Sequence, residues 1–244
     1  MPLHFLLPEA ADAQPGESVV LTGAEAHHAA VRRLRAGEEV TVGDGRGAWL
    51  SGECVSLSPR EVVVRITSRS EIPPPSPRIV LVQALAKGDR DELAVQAATE
   101  LGVDEILPWQ AARSVSRWDA AKTEKGRARW SAIVREAAKQ AHRAWLPEVG
   151  PLTMTAELAG RAAASRVVVL EPSATARLTD FVFDGADTSD LVLVVGPEGG
   201  IDSRELTAFE RSGASIVRLG DTVLRTSTAG PAALAVISAA LHRW

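Results

Sequence analysis

The stretch Leu191-Val-Leu-Val-Val-Gly-Pro-Glu-Gly-Gly-Ile-Asp-Ser-Arg-Glu-Leu206 decides how this chain is read. Five consecutive apolar, mostly β-branched residues predict a strand buried on both faces, as in a parallel sheet. Gly196-Pro-Glu-Gly-Gly200 then interrupts regular structure. Asp202, with Glu205 three residues later, carries a capping-box signature, so a helix is predicted from Ser203. Strand, glycine loop and helix N-terminus together form a ledge for a ligand at the carboxyl edge of a sheet. Taken alone, the segment also fits a tight turn without chemistry. No Gly-Lys-Ser/Thr follows the glycines, and the spacing does not match Gly-x-Gly-x-x-Gly, which argues against a nucleotide phosphate loop. Pro197 removes a donor and Glu198 repels phosphate, so a ligand carrying positive charge suits the loop better than an anion.

The chain of 244 residues is long enough for two modest domains or one large α/β domain, and 45% hydrophobic with 24% charged residues is ordinary for a soluble globular protein. No apolar run reaches membrane-spanning length and no signal peptide is evident, so no membrane association and a cytoplasmic location are expected. Cys54, the single cysteine, excludes an intramolecular disulfide and is expected to be buried in a strand. No Cys/His cluster suggests zinc, and no metal is expected. The net charge of −4 is unevenly spread: residues 110–145 hold 9 basic and 3 acidic side chains, whereas every other part of the chain is acidic. A patch at +6 points to a polyanion, with a solvated helical face as the plain alternative.

Residues 1–72 read as a small β-rich unit, with strands at Ser18–Thr22, Glu39–Val42 and Glu61–Thr67 and a hairpin turn at Gly43–Gly47. Between the first two strands, residues 24–35 predict a short helix with Ala24, His27, Val31 and Leu34 near one face and Gly37 at its end. Arg32, Arg33 and Arg35 then form an exposed edge, read as either an RNA contact or a solvated face. Pro73–Pro77 is a stiff linker, and residues 78–244 form the second domain. There, strands at 78–85, 103–108, 166–171, 191–195 and 215–220 alternate with helical segments, which predicts βαβ units and a parallel sheet. The first helix, 89–101, places Leu93, Ala97 and Leu101 four apart and stops at Gly102. Residues 127–144 should be helical, 155–164 should hold one short helix, and a nearly all-apolar helix should run from about Gly230 to Leu241. In the basic segment, Arg113, Arg117, Lys139, Gln140 and Arg143 are the candidate RNA contacts. Trp109, Trp118, Trp130 and Trp145 interleave with the charges as in single-strand RNA recognition, although Trp130 is read as core.

Three strand ends recur in a recognisable order: Leu170-Glu-Pro, Val195-Gly-Pro-Glu-Gly-Gly, and Leu219-Gly-Asp-Thr-Val-Leu-Arg-Thr-Ser-Thr-Ala. With His28-Ala-Ala-Val-Arg-Arg-Leu-Arg-Ala-Gly-Glu, Arg113-Ser-Val and Arg135-Glu-Ala-Ala-Lys-Gln, they resemble the RsmE-type methyltransferases of the SPOUT superfamily over nearly the whole chain. The resemblance implies an α/β fold, with an N-terminal PUA-like β-barrel and a C-terminal trefoil-knotted domain, a known exception to the rule against threaded chains. It implies a homodimer whose sites are completed by the partner subunit. The implied reaction is transfer of a methyl group from S-adenosyl-L-methionine to N3 of a uridine in 16S ribosomal RNA, within the small ribosomal subunit.

On that resemblance, Leu170, Glu171, Gly196, Pro197, Glu198, Gly199, Leu219, Gly220, Val223, Leu224 and Thr226 are expected around the cofactor, with glycines permitting close approach. Arg225 is expected to stabilise charge on the uridine carbonyl oxygens as N3 loses its proton, supported by Thr226 and Thr228; the alternative is a salt bridge that fixes its loop. Glu198 is expected to balance cofactor charge, orient its loop or help remove the proton, three roles left open. Two positions depart from the family pattern. Ser227 stands where an acid is common, so no acid there serves as the base. Gly230-Pro231 is an unusual start to the last helix, although proline suits a first turn. The rival readings are a SPOUT ribose 2′-O-methyltransferase acting on ribosomal or transfer RNA, and a noncatalytic RNA-binding assembly factor.

Overall fold

The computed structural model describes residues 2–181 and 187–244. They form two compact units, Met1–Pro74 with Ala138–Leu146, and Pro75–Ala137 with Pro147–Trp244.

The first unit is built on strands β1 (Leu3–Leu6), β2 (Ser18–Thr22), β3 (Glu39–Gly43), β4 (Ala48–Leu57) and β5 (Glu61–Glu71), with helix α1 (Gly23–Val31) after β2. Their order is β1-β3-β4-β5-β2, parallel between β1 and β3 and antiparallel elsewhere. In β2, Val19 and Leu21 point into the core while their neighbours face outward, the period-two pattern of a half-buried strand. The β3–β4 turn is closed by the Asp44 carboxylate, which accepts from the N–H groups of Arg46 at 2.7 Å and Ala48 at 3.0 Å. Two register shifts, at Ser51/Gly52 and Cys54/Ser56, bend β4 against β5. A side chain at Gly52 would meet the Arg65 carbonyl at 2.6 Å, so the bend requires glycine. Cys54 is buried in β4 among Phe5, Leu21, Leu50, Val64 and Ile66.

Two helix ends differ from the sequence-based expectation for one physical reason. Helix α1 stops at Val31, before Gly37, because Arg33 adopts a left-handed φ of 57°. The Arg33 N–H then reaches the Ala30 carbonyl and the Leu34 N–H the Ala29 carbonyl, the paired bonds of a Schellman ending. The same bonds recur at His142 and Arg143, and at His242 and Arg243. A helix end ordinarily marked by glycine is therefore carried here by Arg and His. The buried face of α1 is also corrected: Glu25, Ala26 and Ala29 face inward, while Val31 is 64% exposed.

In the second unit, β6 (Ile79–Ala84), β7 (Glu105–Trp109), β8 (Glu148–Val149), β9 (Arg166–Leu170), β10 (Leu191–Val195) and β11 (Ser215–Val217) make an all-parallel sheet in the order β11-β9-β10-β6-β7-β8. The helices are α2 (Arg90–Glu100), α3 (Ala120–Gln140), α4 (Thr155–Arg161), α5 (Ser203–Arg211) and α6 (Thr226–Ala240). Every residue of β6, β7 and β10 is buried, as strands inside a parallel sheet require, and the two polar members are Gln83 in β6 and Glu105 in β7. The stripe Leu93–Ala97–Leu101 is not the inner face of α2: Leu93 is half exposed, and Asp91, Ala94, Val95, Ala98 and Thr99 are buried. Small side chains let α2 lie close to its neighbours, and a count of large apolar residues misses that face.

Helix α3 begins seven residues earlier than its apolar pattern indicated, because the Asp119 carboxylate caps it by accepting the Lys122 N–H at 2.9 Å. It ends at Gln140, not Ala144. Helix α6 begins at Thr226, where the N–H groups of Thr228 and Ala229 both reach the Arg225 carbonyl. Pro231 is therefore interior to the helix and not in its first turn. The tryptophans are structural as well. Trp109 and Trp130 are fully buried, Trp118 packs edge-on against Trp130 with centroids 5.5 Å apart, and Trp145 donates to the Ile72 carbonyl.

One buried imidazole gives the first unit a pH dependence. His4 is 3% exposed, stacks on Trp49 at 4.5 Å, and its Nδ1 lies 2.9 Å from Thr41 Oγ1. Burial, then the nearby His142 and Lys139, lower its pKa to about 3. The unfolded chain takes up this proton near pH 6.5 while the folded chain does not. Stability is thus full above that value and falls as pH drops toward 3. Urea unfolding of the wild type between pH 6 and 4 should lose up to about 1.4 kcal/mol per pH unit through this group. His4→Phe should show a shallower slope, and parallel curves for the two proteins would reject the explanation.

Candidate active site

Parallel strands end their turns on one side of the sheet, and three of those turns enclose a cavity of about 310 Å³. Leu170 ends β9 and Glu171 and Pro172 follow it; Val195 ends β10 and Gly196 to Glu198, Gly200 and Ile201 follow it; Leu219, Gly220 and Thr222 to Thr226 follow β11. Arg90, the first residue of α2, and Ala229 of α6 complete the wall. The volume lies in the range of about 300–1,000 Å³ typical of small-molecule sites. Of the eleven residues expected around a cofactor, Gly199 alone is not on the wall: its Cα faces Arg113, and a Cβ there would lie 3.3 Å from the Arg113 side chain. At Gly196 a Cβ would meet Ile201 at 2.6 Å, and Gly200 takes a φ of +72°, so both positions exclude larger residues.

The backbone of the third turn is open. None of the N–H groups from Leu219 to Leu224 is hydrogen-bonded within the described residues. Arg177 and Arg218 hold this turn through Asp221, at 3.7 and 3.6 Å. Arg225 follows as the N-cap residue of α6, and its exposed guanidinium makes no hydrogen bond or ion pair among the described residues. The alternative of a salt bridge fixing the loop therefore has no partner to support it. Thr226 is buried, and its hydroxyl donates to the Gly196 carbonyl at 2.9 Å.

Charged groups hold the glycine loop from two sides. Glu198 Oε1 accepts from the Lys87 N–H and from Arg90, both at 2.9 Å. Burial is the largest single influence on this carboxyl and raises its pKa, but the donors, its own N–H included, together hold it below the ordinary glutamate value. On the other side, Asp202 caps α5 by accepting the Arg204 N–H at 3.0 Å, while Glu205 accepts the Asp202 N–H at 3.2 Å, the expected capping box. The Arg204 N–H and Arg113 keep the Asp202 carboxyl below its ordinary range. Arg113, expected to touch RNA, instead reaches Asp202 at 3.2 Å and the Gly199 carbonyl at 3.4 Å. Glu205 further accepts from the Ala112 N–H and the Thr155 hydroxyl, which ties the chain after β7 to the start of α5.

The remaining expected RNA residues separate clearly. Arg32, Arg33 and Arg35 are exposed beyond α1, and Gln140 is exposed at the end of α3. Arg117 is exposed and donates to the Ala112 carbonyl, and Arg143 is half-buried. Lys139 is buried against Glu25 at 3.2 Å, so its charge is neutralised inside the first unit and is not presented to a polyanion. Sequence reasoning missed Arg90, whose only signal was a cation opening the helix after Lys87-Gly88. It also missed Gln83, the one polar residue in β6. Among the described residues no group of three or more His, Cys, Asp or Glu side chains is placed to hold a metal ion, and no helix is long and apolar enough to cross a membrane.

The loop clip is testable directly. Glu198→Ala leaves the Lys87 N–H and a partly exposed Arg90 without their acceptor, an expected loss of about 1 kcal/mol in urea unfolding after allowance for hydration of Arg90. Glu198→Gln keeps an acceptor for the N–H and should cost less. Equal losses in the two variants would show that the backbone bond is immaterial.

Residues 73–238 match the family described as RNA methyltransferase domain, and residues 21–67 match the family described as RNA methyltransferase PUA domain. Ribosomal RNA small subunit methyltransferase E of Mycobacterium bovis is 44% identical over 94% of this chain and 89% of its own length. The crystal structure of the Neisseria gonorrhoeae protein of that name, bound to S-adenosyl methionine, superposes with a TM-score of 0.86 at 29% identity, covering 98% of both chains. A putative methyltransferase from Legionella pneumophila, in complex with the same cofactor, gives the same TM-score, identity and coverage. A family match across the cavity-bearing unit, together with this identity over nearly the full length, makes the chain a member of the ribosomal RNA small subunit methyltransferase E family.

Proposed function

We propose that this chain transfers a methyl group from S-adenosyl-L-methionine to N3 of a uridine in 16S ribosomal RNA. One observation carries the reading: three strand-end turns converge on a single cavity of cofactor size, with Arg225, unpaired among the described residues, on its wall. The N–H groups of Leu219 to Leu224, unbonded among the described residues, and the glycine at position 196 suit recognition of adenine and ribose by backbone atoms. The bound cofactor would supply an activated methyl on a sulfonium, so no metal or covalent nucleophile is required of the protein.

The residues then take distinct parts. The N3 proton of uridine is weakly acidic, and the reaction needs its anion favoured as the methyl arrives. Arg225 offers a guanidinium whose donors are uncommitted and suits the charge that develops on the two carbonyl oxygens flanking N3. Glu198 is a poor proton acceptor near neutral pH, because its donors hold it below the ordinary carboxylate range. Its part is to fix the glycine loop. We assign RNA positioning to residues 1–72, joined by the proline run 73–77 to a catalytic domain at 78–244. We further propose a cytoplasmic homodimer with a knotted C-terminal path, in which a second copy covers the apolar side chains of Val223 and Leu224, 78% and 38% exposed beside the cavity. Arg117, Gln140 and Arg143 remain secondary RNA contacts in this proposal.

The deciding experiment is transfer of labelled methyl from S-adenosylmethionine to small ribosomal subunits lacking the modification, with nucleoside analysis. The expected product is 3-methyluridine; a 2′-O-methylated nucleoside would move the function to ribose methylation, and cofactor binding without transfer to any ribosomal RNA would overturn the substrate. Arg225→Ala should leave cofactor affinity by calorimetry nearly unchanged while transfer falls about 10²–10³-fold, the scale of losing one charge-stabilising donor. Loss of binding to the same degree would make Arg225 a cofactor residue. Reversing the charges of Arg32, Arg33 and Arg35 should weaken RNA binding and flatten its salt dependence, by about 0.7–0.9 in logarithmic slope per lost phosphate contact. An unchanged slope would remove that edge from the interface.

A further inference from the structure

Strand β6, Ile79-Val-Leu-Val-Gln-Ala84, lies inside the sheet and is buried along its whole length. Five of its residues are apolar. The sixth, Gln83, has no exposed surface, and its Oε1 finds no hydrogen-bond partner among the described residues. An apolar residue of similar volume would suit the strand better, so the amide is retained for what its nitrogen does. Gln83 Nε2 donates to Thr226 Oγ1 at 2.9 Å and to the Ala84 carbonyl at 3.2 Å. The Thr226 hydroxyl in turn donates to the Gly196 carbonyl at 2.9 Å. The direction of this chain is fixed: with its hydrogen committed to Gly196, Thr226 Oγ1 can only accept from Gln83. A reversed amide would set Oε1 against the Ala84 carbonyl.

The register explains how one side chain reaches both turns. Gln83 stands directly opposite Val195, the last residue before Gly196. Helix α6 can come close enough for Thr226 to meet it because residue 230 is glycine; a Cβ there would already lie 3.2 Å from Leu81 and 3.4 Å from Val195. Thr226 opens α6 and Arg225 is its N-cap residue, so whatever fixes Thr226 fixes the backbone from which Arg225 projects.

We propose that Gln83 is a positioning residue for methyl transfer, locking the start of α6, and with it Arg225, to the glycine loop through the Thr226 hydroxyl. The catalytic part of this inference rests on the methyltransferase reading above; the lock itself does not. Gln83 touches neither substrate nor cofactor in this account and acts only through Thr226.

The test uses the full chain and two readouts. Gln83→Met removes both donors with little change in volume, and Thr226→Val removes the hydroxyl. By amide hydrogen exchange on the free protein, each should speed exchange in residues 196–201 and in residues 225–229 together, while Thr226→Ser stays like the wild type. In methyl transfer, each should lower kcat by about 10²-fold with KM for S-adenosylmethionine moving far less, the pattern of a misplaced group. The double variant should be no worse than the poorer single one, because both break one chain. Faster exchange confined to β6, or Thr226→Ser as damaging as Thr226→Val, would overturn the lock. An unchanged kcat in a variant with both segments loosened would overturn its role in the reaction. If Gln83→Met does not fold, the Thr226→Val and Thr226→Ser pair decides by the same criteria. A wild type that transfers no methyl would count against the functional reading, and exchange would still decide the lock.

Discussion

Everything at the cavity depends on β10 being hydrogen-bonded in parallel on both sides. Its residues Leu191 to Val195 stand level with Ile79 to Gln83 of β6 and with Arg166 to Leu170 of β9. Strand β11 ends at the same height, with Val217 opposite Leu170. Because all four strands run in the same direction, their carboxyl ends finish together and their turns emerge side by side. A slip of one residue would reverse the faces of every side chain on β10 and carry Gly196 away from Thr226. The order of the strands adds a second consequence. From β6 the chain proceeds toward β7 and β8 on one side, then crosses to β9, β10 and β11 on the other. Ligand sites in open parallel sheets favour such reversals, where neighbouring turns part, and Arg90 and Glu198 meet across this one.

A turn as glycine-rich as 196–200 has much conformational freedom to lose, and sheet register alone does not remove it. Polar contacts supply the rest. Glu198 is held by the start of α2, Asp202 and the Gly199 carbonyl by Arg113, and the Gly196 carbonyl by Thr226. Each restraint comes from a different part of the chain, so the loop conformation is determined several times over. Such redundancy is what lets a left-handed residue like Gly200 persist beside a cavity. The third turn, from Leu219 to Leu224, is the opposite case: its backbone donors have no partners among the described residues, and its anchor is the ion pairing of Asp221. One turn is built to stay in place, the other to present donors.

The parts of the fold legible in the sequence are those set by local patterns. Runs rich in β-branched residues gave the buried strands of the parallel sheet, alternation gave β2, and Asp202 with Glu205 gave the start of α5 at Ser203. The ends of α1 and α3 were less legible because Arg33 and His142 occupy left-handed positions that glycine usually marks. The inner faces of α1 and α2 were obscured because alanines, not large apolar residues, do the packing. The three cavity turns were identifiable because family resemblance joined segments that spacing alone would not connect. Arg90 and Gln83 were beyond both routes. Their partners lie 108 and 143 residues away, and nothing local marks either pairing.

The basic segment shows why charge counting overstates a nucleic-acid footprint. Arg127 donates to the Gly150 carbonyl, Arg129 pairs with Glu92, Arg113 with Asp202 and Lys139 with Glu25. These cations hold the protein together, and recruiting them for RNA would mean breaking bonds already made. A cation available for a ligand is one that folding has left without a partner. By that criterion the guanidiniums of Arg32, Arg33 and Arg35 qualify in the first unit, and Arg225 qualifies at the cavity, all four being exposed and without side-chain bonds among the described residues. Their hydration is the cost of keeping them ready, and it is recovered only when negative charge arrives. At Arg32, Arg33 and Arg35 that charge would be permanent, as on a phosphate; at Arg225 it would develop during the reaction, which is the condition for lowering a barrier and not merely tightening binding.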